Sequence, residues 1–279
     1  MIAYPNCKVN LGLNIVEKRA DNYHNLETVF YPIPLCDVLE IIENKDPANS
    51  PSFPLSTTGL PIQGTVSSNL CVKAYKLLKK DFPKIPWVRV HIHKLIPIGA
   101  GLGGGSSNGA YALRMYNELF DLRLSEERLM AYAAELGSDC AFFIKNKACY
   151  ATGRGELLEP IDLDLSDYTF VVVNPAIYVN TGDAFRDIRP ARPAVSVRRI
   201  VQTPVAGWKH QLVNDFEESI CSKYPAIKNV KEELYRKGAV YAAMSGSGST
   251  VFGLFPKGAE PAFDFPPAYF VKLLEPAAK

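Results

Sequence analysis

The sequence lacks a charge excess: over 279 residues, 31 basic side chains stand against 29 acidic ones, a formal net charge of +2. A protein that tracks a polyanion needs a broad basic surface, and this balance argues against one; any positive field must be local. Long apolar runs are missing too. The most apolar stretch, 168–179, is broken by Asn174 and Pro175 and is too short to span a bilayer. Pro5, Asn6 and Lys8 interrupt any signal-peptide core, so a cytoplasmic protein with neither membrane nor nucleic-acid partners is expected. The six cysteines (7, 36, 71, 140, 149, 221) form no C-x-x-C pair and have no zinc-ligand spacing. They are expected to be buried thiols of a reducing compartment, since disulfide staples belong mainly to small secreted domains. Internal repeats and long low-complexity tracts are absent.

What is present is a mixture of strand and helix patterns. Strand-like runs open the chain at 8–16, 25–31 and 38–43, and a Pro/Ser/Thr/Gly-rich stretch at 44–66 reads as turns and hairpin connections. Ser67 or Ser68 offers an N-cap to a helix running to about residue 82, ended by Pro83 and Pro86. Val88, Val90 and Ile92 alternate with Arg89, His91 and His93, the period of a strand. The two histidines share a face but have no acidic or cysteine partner in sequence, so a solvent-facing pair is expected rather than a metal site. Helices are expected at 107–120 and 125–136, the second stopped by Gly137, and 140–144 with 148–152 as paired strands. Acidic and loop-forming residues cluster at 153–167, the expected domain boundary. Beyond it come a strand at 168–174, an irregular stretch at 186–204, helices near 208–222 and 225–237, and strands at 239–244, 251–255 and 269–274. Without regular βαβα alternation the fold class is α+β, in two domains, 1–155 and 156–279.

The chemistry concentrates between one strand and the next helix. From Pro97 the chain reads P-I-G-A-G-L-G-G-G-S-S-N-G, with five glycines in the seven positions 99–105. Glycine lets the backbone approach a ligand closely, and successive N–H groups at a helix N-terminus form an anion cradle reinforced by the helix dipole. Ser106 and Ser107 add hydroxyls able to donate to phosphate or reach a metal ion. Gly99–Ser107 therefore reads as a phosphate site. The run also satisfies G-x-G-x-x-G, but the acidic residues at the required distance, Glu118 and Asp121, fall at a helix end rather than a strand end. It satisfies G-x-S-x-G around Ser107, but loop, not strand, precedes the serine, and nothing near His210 suggests a triad. No Gly-Lys is followed by Ser or Thr, which excludes a P-loop, and H-R-D and D-F-G are absent.

These residues resemble the GHMP kinases (galactokinase, homoserine kinase, mevalonate kinase, phosphomevalonate kinase). The glycine–serine run is similar to that superfamily's ATP loop, PNCKVNLGL (5–13) to its first motif and MSGSGST (244–250) to its third. ADNYHNLET (20–28), GAGLGGGSSN and LGSDCAFF (136–143) resemble more closely the branch that phosphorylates the 2-hydroxyl of 4-diphosphocytidyl-2-C-methyl-D-erythritol, in the non-mevalonate route to isoprenoids. The resemblance implies a ribosomal protein S5 domain 2-like N-terminal domain and a ferredoxin-like C-terminal one. It implies ATP as co-substrate, Mg²⁺ as cofactor, no metal site built by the protein alone, and a monomer or homodimer.

The resemblance also implies roles. Lys8 matches the catalytic lysine and Asp139 the catalytic aspartate, which also contacts substrate; by themselves both read as surface charges. Phosphoryl transfer passes through a loose transition state, so positioning and charge neutralisation dominate, and an aspartate taking the hydroxyl proton supplies the remaining acid–base work. ATP is matched by Pro97, Gly99, Ala100, Gly101, Leu102, Gly103, Gly104, Gly105, Ser106 and Ser107, with Asn69 and Lys94 near the adenine. Asn10, Tyr23, His24 and Tyr178 match substrate positions, the tyrosines as faces for a cytosine and His24 as reader of its edge; taken alone, both tyrosines read as half-buried core aromatics. Asn22 where Gly is usual, Cys140-Ala141 in place of an aliphatic-Pro pair, and Gly109 where Ala is commoner depart from the pattern without touching the transferred phosphate. Kinases of the homoserine or mevalonate type are the nearer alternative. A non-catalytic nucleotide-binding regulator or a hydrolase built on Ser107 would belong to a different class.

Overall fold

The computed structural model describes residues 1–45 and 53–275; the expected turn region 44–66 thus lies in part, at 46–52, outside the described residues. By contact the chain groups into two compact units, one of residues 1–7, 35–98 and 103–146, the other of residues 8–34, 99–102 and 147–279.

The first unit is built on a four-stranded sheet, order β1 (Ile2–Ala3), β4 (Val38–Glu43), β6 (Val88–Lys94), β5 (Leu55–Gly59). Its β4–β6 pair is antiparallel and β5–β6 parallel. Alternation in β6 buries Val88, Val90 and Ile92 as the period requires. His91 and His93 are half-buried on the other face, hydrogen-bonded to Ser56 and Thr58. β5 is a strand inside the stretch expected to be turns. Four helices complete the unit: α1 (Leu70–Asp81), α2 (Gly104–Leu119), α3 (Glu126–Leu136) and α4 (Cys140–Lys145). α2 packs on the other three, and Tyr116 fills the seam, edge-on to Tyr75 at 5.7 Å with its hydroxyl donating to the Cys71 carbonyl.

Three boundaries differ from expectation. α1 is capped by Asn69, whose side chain accepts from the Cys71 N–H at 2.9 Å, while Val66–Ser68 form a separate 3-10 turn. α2 starts at Gly104 rather than at Ser107. Residues 140–144 are helical rather than a strand: all of Cys140–Ile144 is buried, so no alternation marks either state.

The second unit holds two sheets. β2 (Asn6–Lys18), β3 (His24–Cys36), β7 (Cys149–Thr152) and β8 (Leu157–Pro160) form one, taking β2 from Lys8 and β3 up to Pro34 into this unit. β10 (Tyr241–Met244), β11 (Val251–Pro256), β9 (Tyr168–Asn174) and β12 (Phe270–Leu274) form the other, antiparallel throughout. α5 (Thr181–Arg186) and α6 (Val197–Ile200) are short helices at positions expected to be irregular or unassigned. The expected helix near 208–222 divides into a 3-10 segment, Val205–His210, and α7 (Phe216–Lys223); α8 (Pro225–Arg236) follows. One cluster gathers Leu13 and Ile15 of β2, Val171 and Val173 of β9, Phe216 and Ile220 of α7, and Ile227, Val230 and Leu234 of α8. Each such buried side chain contributes about 1.5–3 kcal/mol of transfer free energy, which explains why β2 packs with the C-terminal elements.

Candidate active site

The glycine run alternates buried apolar anchors with open backbone. Ala100 and Leu102 are buried, whereas Gly99 and Gly105 are exposed. Gly101, at φ +80°, passes so close to the Ser245 carbonyl that a Cβ would lie 1.9 Å from its oxygen. Gly103 caps α2 in the left-handed region, φ 69°, a conformation that leaves the N–H groups of the first turn pointing past the helix end. A helix N-terminus of this kind attracts anions. Ser107 Oγ is buried in that turn with no hydrogen-bond partner. Ser106 hydrogen-bonds the Cys140 thiol, yet burial dominates and pushes that thiol up to about 12, too high for a thiolate.

Around the same helix start lies Lys94, 2% exposed, which donates to Asn108 Oδ1 at 3.5 Å and pairs with the carboxylate of Asp37. Asn69 opens α1, its side-chain oxygen engaged by the Cys71 N–H. Asp139 is half-buried and opens α4. Pro97 is half-buried just beyond Ile96. Asn69, Lys94 and Asp139 all belong to the first unit.

Lys8 lies in the second unit and is only 4% exposed. Its ammonium donates to Asn10 Oδ1 at 2.6 Å and to the Gly101 carbonyl at 3.2 Å, and lies 4.8 Å over the Phe30 ring. Asn10 is held in turn: its amide donates to Thr28 Oγ1 at 3.0 Å and its backbone N–H to Ser245 Oγ at 3.2 Å. Ser245 Oγ itself donates to the Gly101 carbonyl at 2.8 Å, and Thr250 N–H donates to the Ala100 carbonyl at 3.2 Å. The first motif, the glycine run and the 244–250 motif thus converge on one carbonyl, that of Gly101. Asn14, four residues on from Asn10, instead donates to Asp215 at 2.9 Å.

The aromatic residues lie in the same unit, each with its own neighbour. Tyr23 is 55% exposed, with the Arg154 guanidinium 4.8 Å over its ring. His24 stacks on Phe185, centroids 5.0 Å apart and planes within 15°. Burial, and more weakly the Lys18 ammonium, hold its imidazole below the usual histidine range. Tyr178, 71% exposed, lies beside Gly99, where an added Cβ would come 3.5 Å from its ring. Large aromatics left this open to solvent offer faces to a ligand. Phe185, Arg154 and Asp37 were not legible as site residues, because none sits in a motif and each is defined by its contacts; Thr28 ends the 20–28 motif, but its contact with Asn10 has no local signature.

The family described as GHMP kinases N terminal domain matches residues 69–147, and GHMP kinases C terminal matches residues 206–271. The chain is 54% identical over 255 residues to the 4-diphosphocytidyl-2-C-methyl-D-erythritol kinase of Bacteroides fragilis, covering 91% of this chain and 92% of that one. To the kinase of the same name from Porphyromonas gingivalis it is 44% identical over 257 residues, with 91% and 92% covered. A crystal structure of a 4-(cytidine 5'-diphospho)-2C-methyl-D-erythritol kinase superposes with a TM-score of 0.77 at 33% identity, over 91% of this chain and 90% of that one. Methanococcus jannaschii mevalonate kinase, at 14% identity and TM-score 0.68 over 92% and 91% of the two chains, shares the fold. The chain belongs to the 4-diphosphocytidyl-2-C-methyl-D-erythritol kinases, within the GHMP kinase superfamily.

Proposed function

We propose that the chain transfers the γ-phosphoryl group of ATP to the 2-hydroxyl of 4-diphosphocytidyl-2-C-methyl-D-erythritol, a step of the non-mevalonate route to isoprenoids, in the cytoplasm. The observation that carries this reading is the convergence of Lys8 and Ser245 on the Gly101 carbonyl, with Asn10 accepting from the same Lys8 ammonium. It ties the one lysine of the first motif to the loop that binds phosphate. As a GHMP kinase the chain takes ATP as co-substrate. Gly99–Ser107 cradle the triphosphate through backbone N–H groups and the α2 dipole, and Asn69 and Lys94 lie toward the adenine.

Asp139 accepts the proton of the attacking hydroxyl, and Lys8 neutralises charge that develops on the transferred phosphoryl group. Tyr23 and Tyr178 offer faces to the cytosine, His24 reads its edge, and Phe185 fixes the plane of His24. The chain's residues also fit a Mg²⁺ ion carried with the nucleotide. Ser107 Oγ is a buried hydroxyl lacking a partner, a hard oxygen ligand of the kind Mg²⁺ takes beside phosphate oxygens and water. When bound, the ion screens the phosphate charge. We further propose that the functional domains divide at 155/156, which puts one family match on each side.

The test is ADP release in a coupled assay with the cytidyl substrate, against mevalonate and homoserine as controls. Release with the cytidyl substrate alone is expected. Release only with a control would reassign the acceptor, and ATP turnover that needs no acceptor would remove the kinase reading.

A further inference from the structure

Asp37 is fully buried, and its carboxylate accepts four hydrogen bonds from two places in the chain. Oδ1 accepts from the backbone N–H groups of Leu95 at 2.8 Å and Ile96 at 2.9 Å, where β6 ends. Oδ2 accepts from Asn108 Nδ2 at 3.0 Å, one turn into α2, and from the Lys94 ammonium. Its own N–H is fixed by the Pro5 carbonyl at 2.9 Å. Gly104, the first residue of α2, rests on this group: a Cβ there would come 2.9 Å from Lys94 Nζ and 2.8 Å from Ile96 Cγ2.

A buried ion pair is weak evidence for stability, because desolvating two charges offsets most of their attraction and an apolar pair of similar volume often serves as well. The geometry points to positioning instead. One carboxylate grips the last residues before the glycine run and the first turn of the helix after it. The segment between, residues 97–107, must span two ends whose separation that carboxylate holds. We propose that Asp37 is a positioning residue for the nucleotide: by clamping both ends of the phosphate loop it sets the affinity for ATP, and not that for the phosphate acceptor. This rests on the kinase reading above.

Two doubly substituted enzymes separate the clamp from the charge. Both carry Lys94→Met, which removes the buried cation and any direct part Lys94 has in nucleotide binding. In Asp37→Asn/Lys94→Met the carboxamide oxygen still accepts from Leu95 and Ile96; in Asp37→Leu/Lys94→Met nothing does. The leucine variant is expected to have KM for ATP, and Kd for a non-hydrolysable ATP analogue by calorimetry, at least about ten-fold above the asparagine variant. KM for the cytidyl substrate should stay within about two-fold. A purely structural role would lower the melting temperature and active fraction without splitting the two KM values. Should leucine prevent folding, alanine in the same background leaves the clamp equally empty. Equal nucleotide Kd in the clamped and unclamped variants, or both KM values rising together, would overturn the proposal. Failure of the wild-type enzyme to phosphorylate the cytidyl substrate would overturn the underlying function instead, and the calorimetric comparison reports on Asp37 even then.

Discussion

Lys8 illustrates what a buried charge requires. Removing an ammonium from water costs several kcal/mol unless its protons are satisfied, and here two oxygens and an aromatic face receive it. An isolated lysine in a strand gives no hint of this in sequence; only the K-x-N of the first motif did. Asp139 is the complementary case, half-buried at the start of a short helix. Asp139→Asn keeps the shape and removes the proton acceptor, so turnover should fall by at least about a thousand-fold while Kd for an ATP analogue changes less than about two-fold. Near-normal turnover would take Asp139 out of the mechanism. The state of His24 yields a pH prediction. Its folded-state pKa lies below the ordinary value, mainly through burial, so the neutral ring prevails at neutral pH. As pH falls below about 6.5 the unfolded chain takes up the proton first, and the stabilisation present above that pH is lost. KM for the cytidyl substrate should be flat above about pH 6.5 and rise below it as the ring in the site becomes charged. An identical profile in His24→Gln would exclude His24 as its source.

At the scale of elements, legibility followed periodicity and contact range. β6 was readable because its alternation is complete, and α3 because its apolar residues recur at helical spacing up to Gly137. α4 was not, since a short run buried all round carries no period. The start of α2 was hidden for another reason: Gly104 and Gly105 have poor helix propensity, and Gly104 stands where a Cβ would crowd Lys94 and Ile96, a tertiary contact with no local signature. The 244–250 motif was visible, but its meeting with Gly101 spans 144 residues of sequence and has no local signature. That meeting is testable. Gly101→Ala places a Cβ 1.9 Å from a backbone carbonyl at φ +80°, so one of the two segments must move. We expect a loss of about 1–3 kcal/mol in stability and at least about ten-fold in kcat/KM for ATP. Gly105→Ala, where an added Cβ meets no atom within 4 Å, is the matched control for a glycine removed from the same run. Equal effects of the two substitutions on stability would show that the Ser245 contact is not what constrains the loop.

For the whole molecule, the family's order of motifs along the chain was legible, whereas the grouping of residues 8–34 with 147–279 was not. That grouping arises from Leu13 and Ile15 entering a cluster built by β9, α7 and α8, a packing choice that no local pattern in β2 records. The residues assigned to the adenine nucleotide and those assigned to the cytosine are different side chains, with Lys8 and Gly101 the meeting point of the motifs. Two ligands that occupy separate places on one folded chain stabilise it independently, each by RT ln(1 + [L]/Kd). At about one hundred times its Kd, each contributes about 2.7 kcal/mol, which for a chain of this length raises the melting temperature by roughly 5–10 °C. A non-hydrolysable ATP analogue and cytidine diphosphate should therefore each raise the melting temperature, and together produce close to the sum of the two free energies. The Asp139→Asn protein should show both shifts, because the substitution removes chemistry rather than binding. If the two ligands gave no more together than either alone, they would be competing for one place, and the assignment of Tyr23, His24 and Tyr178 to a separate cytidine site would have to be abandoned.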